Sequence, residues 1–123
     1  MRLLLDTHAL IWWDEGTGLR SAAERAIRGA DQVYVSAVCG WEVAVKASLG
    51  RLRTRRSVAD AAAESGFEEL PVRLHHAEVL ARLPWHHRDP FDRMLAAQAL
   101  AEGLTLVTRD RAFRPYGVKL LGA

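Results

Sequence analysis

The chain has 123 residues, half of them hydrophobic and 26% charged, with a formal net charge of +2. That length supports one domain burying roughly two thirds of its unfolded surface, and the balance excludes both a disordered polyelectrolyte and a histone-like polycation. The single cysteine, Cys39, excludes an internal disulfide, and neither a leader nor a membrane span is expected from so few consecutive apolar residues, so a soluble cytoplasmic protein is predicted.

In chain order, Arg2–Leu5 reads as a buried strand and Ala9–Trp13 as the helix after it. Gly16 and Gly18 mark a loop, and Ser21 opens an alanine-rich helix that ends near Gly29. Val33–Val35 is a second strand. Ser36 stands where an N-cap belongs, before a helix from Ala37 to Leu49 that Gly50 stops. Ser57 starts a further helix ending at Gly66, and Phe67–Val72, whose period is unclear, is expected as a third strand. A helix over His75–Leu83 stops before Pro84. Pro90–Glu102 is a helix closed by Gly103, and strands Leu104–Val107 and Val118–Leu121 follow. Strands alternating with helices predict an α/β fold, a mainly parallel sheet flanked by helices, with residues 1–123 forming a single domain.

Four carboxylates stand out on this frame. Asp6 ends the first strand and Asp110 follows the run Leu104–Val107, the positions where open parallel sheets bind ligands. Taken singly, each also fits an ordinary cap or turn. Glu42 lies in a helix whose apolar stripe reads Val38, Trp41, Val45, Leu49, about 40° from Val38 and about 20° from Leu49. A carboxylate facing a core costs several kcal/mol unless paired or metal-bound, and Lys46 one turn on is the alternative partner. In Asp89-Pro90-Phe91-Asp92, Asp89 is the expected N-cap, and Asp92 shares a face with Ala96 and Ala99 on a helix that is apolar nearly all round. Acids converging in one crevice repel each other unless a divalent cation lies between them, and one use of an oxygen-only metal site is phosphodiester hydrolysis.

Other candidates are weaker. The pairs His75-His76 and His86-His87 match no two-histidine metal spacing and are expected to be solvated or capping. Cys39 sits in an apolar helix, as a core residue would. All but Lys46 and Lys119 of the 17 basic residues are arginine, the better phosphate ligand, and Arg51, Arg53, Arg55 and Arg56 form the densest patch. They are candidates for binding phosphate, with a solvated surface as the default.

The stretches Leu4-Leu5-Asp6-Thr7-His8, Ser36–Lys46, His87–Ala99 and Leu106-Val107-Thr108-Arg109-Asp110 together resemble a PIN-domain ribonuclease of the VapC toxin type, from the first strand almost to the last. The resemblance implies a PIN-like domain whose acidic quartet is Asp6, Glu42, Asp92 and Asp110, acting as metal ligands and catalytic groups. It places Thr7 and Thr108 beside the first and last acids; Asp89, on the reading of the residues, is cap or supporting acid. It further implies Mg²⁺ or Mn²⁺, RNA as substrate, a homodimer, and a cognate antitoxin that plugs the site. A phospho-receiver domain is disfavoured because Ser48-Leu49-Gly50-Arg51 supplies no mid-chain acceptor acid. The remaining alternative is a catalytically idle RNA- or protein-binding domain on the same fold.

Overall fold

Three consecutive leucines, Leu3, Leu4 and Leu5, are wholly buried in β1 (Arg2–Leu5), although neighbours on a strand point to opposite faces. Both faces of the sheet are therefore covered there, which is why this strand reads as a continuous apolar run. The computed structural model describes the whole chain, Met1–Ala123. The other strands are β2 (Gln32–Ser36), β3 (Glu68–Leu70), β4 (Thr105–Thr108) and β5 (Leu120–Gly122). They form one five-stranded sheet of order β3-β2-β1-β4-β5, parallel throughout, with Leu4 opposite Tyr34 on one side and Leu106 on the other. Truncating Leu4 to alanine should cost about 2–5 kcal/mol, as for any well-packed core leucine.

The helices are α1 (Thr7–Glu15), α2 (Ser21–Gly29), α3 (Ala37–Ser48), α4 (Val58–Glu64), α5 (Leu74–Arg82) and α6 (Pro90–Glu102). Helix α6 is buried along Leu95–Ala99, and Gly103 closes it in the left-handed conformation (φ 66°) that glycine adopts without strain.

Some boundaries differ from expectation. The first helix begins at Thr7 because the Asp6 side chain accepts the Ala9 N–H and caps it. The third strand shrinks to Glu68–Leu70. The last strand runs Leu120–Gly122 rather than Val118–Leu121, because its register is set by pairing with Leu106–Thr108, while Val118 is already buried in the core. A 3₁₀ turn at Arg111–Tyr116, unforeseen in the sequence, is capped by Asp110 through the Ala112 N–H.

The strand order fixes where a site can lie. From β1 the chain builds outward through β2 and β3 on one side and adds β4 and β5 on the other. The reversal falls between β1 and β4, and the crevice beyond their carboxyl ends is where such sheets bind ligands.

Candidate active site

Asp6 follows β1 and Asp110 follows β4, so the switch-point crevice receives one acid from each side. The Asp6 carboxylate is held at both oxygens: Oδ1 accepts from the Ala9 N–H at 2.8 Å and Oδ2 from the Thr108 hydroxyl at 2.5 Å. Burial nevertheless pushes its pKa up, against those bonds, and the charge of Glu42 adds to the rise. The hydroxyl of Thr108 also accepts the Asp110 N–H at 3.0 Å, which ties the first and last acids to one side chain.

Glu42 is 4% exposed. Its Oε1 accepts from Thr7 at 2.5 Å, and its Oε2 pairs with the Lys46 ammonium. That hydrogen bond raises the pKa of Lys46, and Asp89 and Asp92 add to the effect. The pairing with Lys46 and the burial among acids therefore coexist. The stripe expected to carry Glu42 inward is not the buried one, however: Trp41 and Leu49 are each 59% exposed and Val45 is half-buried. The inward face is Val38, Cys39, Glu42 and Val43, with Glu42 inside that arc. Helix α3 is apolar over most of its circumference, so hydrophobicity alone does not set its rotation.

Asp92 rises from the first turn of α6, where Asp89 caps the helix by accepting the N–H groups of Phe91 and Asp92. Its pKa is pushed up to about 7 by burial, then by the charge of Asp89, with Glu42 and Asp6 contributing and His87 opposing. Asp6, Glu42 and Asp92 thus lie within one another's field, and Asp110 is tied to them through the Thr108 hydroxyl.

His87, expected to be solvated or capping, is instead mostly buried beside the acids. Its Nε2 lies 3.0 Å from Asp92 Oδ2 and 3.0 Å from Asp110 Oδ2. The Asp89 N–H donates to Nδ1, so the neutral ring carries its proton on Nε2, facing the carboxylates. Its proximity to Asp89 in sequence was the one available signal. His76 is also fully buried rather than solvated, though it does cap α5 by accepting the Arg73 N–H. Cys39 is in the core as expected, and burial pushes its thiol up to about 12.

The arginine patch divides. Arg56 reaches Asp14 at 2.6 Å and also pairs with Glu64, while Arg55 reaches Asp14 at 3.3 Å. Arg51 and Arg53 are exposed and form no ion pair.

Comparison with known proteins identifies the family of the chain. The PIN domain family model matches residues 3–119. The chain is 32% identical to Ribonuclease VapC22 of Mycobacterium tuberculosis, over 93% of this chain and 91% of that protein. The fold is similar to DNA-bound VapBC from Salmonella typhimurium (TM-score 0.68, 22% identity, 98% of this chain and 97% of that one). It is also similar to a toxin–antitoxin complex from Klebsiella pneumoniae (TM-score 0.63, 22% identity, 98% and 96%). With a family model spanning nearly its whole length and a VapC relative at this identity, the chain belongs to the PIN-domain family, of the VapC type.

Proposed function

We propose that this protein is a metal-dependent endoribonuclease and the toxin half of a toxin–antitoxin pair. The observation that carries this reading is the convergence of Asp6, Glu42, Asp92 and Asp110 at the sheet's switch point, with burial and mutual repulsion raising Asp6 and Asp92. The 32% identical relative is named a ribonuclease, and the Klebsiella pneumoniae neighbour is a toxin–antitoxin complex.

The donor set fits a hard divalent cation. Its ligand atoms are carboxylate oxygens, and the nearby cations Lys46 and, when protonated, His87 are too few to balance the clustered acids. Asp6, Glu42, Asp92 and Asp110 would hold Mg²⁺ or Mn²⁺. When bound, such an ion supplies Lewis acidity toward a phosphoryl oxygen and a water of lowered pKa.

The chain's own residues do the positioning. Thr108 and the Ala9 N–H fix both oxygens of Asp6, and Thr7 and Lys46 fix those of Glu42. Asp89 sets the first turn of α6 and so the height of Asp92. His87 holds a proton at Nε2 between Asp92 and Asp110 and keeps them from drifting apart. The exposed Arg51 and Arg53 offer cations to RNA, whereas Lys46 is committed to Glu42 and Arg55 and Arg56 to Asp14.

An antitoxin partner and a homodimer belong to the same reading. The outward stripe Trp41, Val45 and Leu49 on α3 supplies the apolar face that such a pairing needs. No helix is long and apolar enough to cross a membrane.

The test is direct. Purified protein free of any partner should cleave RNA with Mg²⁺ or Mn²⁺ and stop with EDTA. Changing Asp6, Glu42, Asp92 or Asp110 to its amide should each cost more than the roughly 10–100-fold typical of groups that only orient a ligand, and Asp89→Asn should stay within that range. A dead Asp89→Asn beside a fully active Asp92→Asn would show that the wrong carboxylate is assigned. RNA binding without cleavage in any metal would favour the idle binding domain.

A further inference from the structure

We propose that the cleft rimmed by Arg20, Arg111 and Arg114 seats an RNA backbone phosphate adjacent to the one that is cut. The proposal rests on the ribonuclease reading and adds a place for the substrate's backbone. The cleft measures about 260 Å³ and includes Thr108 and Asp110 in its lining. Both residues also belong to the carboxylate cluster, so a group lying in the cleft lies alongside the reacting position.

The rim is basic and unneutralised. Arg20, Arg111 and Arg114 are exposed, and no carboxylate pairs with any of them. Arg28 is answered by Glu24, and Arg55 and Arg56 by Asp14; Arg51 and Arg53 are also unpaired, but neither lines the cleft that holds Asp110. Three like charges on one rim repel each other unless an anion joins them. Asp110 is the one acid in the lining, and its Oδ2 already faces His87.

Arg109 forms a fixed wall. Its guanidinium donates to Gly18 O at 2.6 Å and to Ala123 O at 3.1 Å, and it stacks 3.9 Å from the Trp12 ring centroid. Arg20 lies over the end of β5, its Nη1 3.6 Å from where a Cβ on Gly122 would stand, an ordinary van der Waals contact.

The chemistry favours a phosphodiester. A planar guanidinium grips phosphate through parallel hydrogen bonds, and unpaired forks on one rim suit consecutive oxygens of a single strand. The acids beside the cleft repel RNA, so a flanking basic seat holds the strand while its neighbour lies over Asp110 and Asp92.

The experiment compares wild type with Arg20→Ala/Arg111→Ala/Arg114→Ala. All three side chains are exposed and Arg20 makes no side-chain capping bond, so the fold should persist, as the melting temperature will show. Binding of a labelled single-stranded RNA of about ten nucleotides is followed by anisotropy, with Ca²⁺ replacing Mg²⁺. The variant should bind roughly tenfold or more weakly, and its log Kd against log salt should flatten by about 2, near 0.7 per lost contact. In cleavage assays the loss should appear in KM rather than kcat. Replacing the three by lysine should restore the salt slope but only part of the affinity. Unchanged salt slope and KM in the alanine variant would overturn the proposal and leave the cleft to an acidic protein segment. A wild type that cleaves no RNA, while binding still depends on these arginines, would overturn the ribonuclease reading and leave the seat standing.

Discussion

Asp92 carries a proton more readily in the fold than in the unfolded chain, its pKa pushed from 3.8 to about 7 by burial and then by Asp89, Glu42 and Asp6. Between those two values the native state binds more protons than the unfolded one, so stability falls as pH rises across that window. Asp6 is shifted in the same direction and adds to the fall. In EDTA, urea denaturation should therefore give a wild-type unfolding free energy that drops by a few kcal/mol at most from pH 4 to pH 8. Asp92→Asn should show clearly less of that drop, and an equal drop in the variant would refute the assignment. Asp6, Glu42, Asp92 and Asp110 could be picked out from the sequence because each stands at a strand end or within an apolar helix. His87 could not, because its place between Asp92 and Asp110 depends on two carboxylates that follow it by 5 and by 23 residues.

Elements were legible to the extent that their signals are local. Ser36, Ser57 and Asp89 all cap the helices they precede, since a cap needs only its own next few N–H groups. The rotation of α3 is not legible in its sequence because apolar residues surround most of that helix, and the choice of inward face belongs to β1 and α6. One buried side chain shows how elements lock to each other. Gln98 of α6 accepts from the Ser36 hydroxyl at 2.5 Å and donates to Pro71 O at 3.2 Å, so it joins the start of α3 to the segment after β3. Gln98→Ala should leave those partners unsatisfied beside a small cavity and cost roughly 2–4 kcal/mol, read as a lower urea midpoint at unchanged slope. A shift within about 0.5 kcal/mol, the range of ordinary surface substitutions, would show the bridge to be dispensable.

At the scale of the molecule, folding gathers acids that repel one another, and metal is expected to relieve that repulsion. Wild type should melt higher with Mn²⁺, by about 2.7 kcal/mol in stability at a hundredfold excess over Kd. Asp6→Asn and Asp110→Asn should weaken that rise without lowering the metal-free melting temperature, because the amide oxygen can still cap the following turn. A clear metal-free loss would mean that the carboxylates serve mainly as caps. The sequence by itself determined the alternation of strands and helices, the caps, and the candidate acids, because periodicity and capping act over a few neighbouring residues. Only the tertiary structure decided which face of α3 turns inward, that Arg55 and Arg56 are bound to Asp14, and that Arg20, Arg111 and Arg114 share one cleft. Those outcomes depend on contacts between segments far apart in the chain, which the sheet order brings together at the carboxyl ends of β1, β4 and β5.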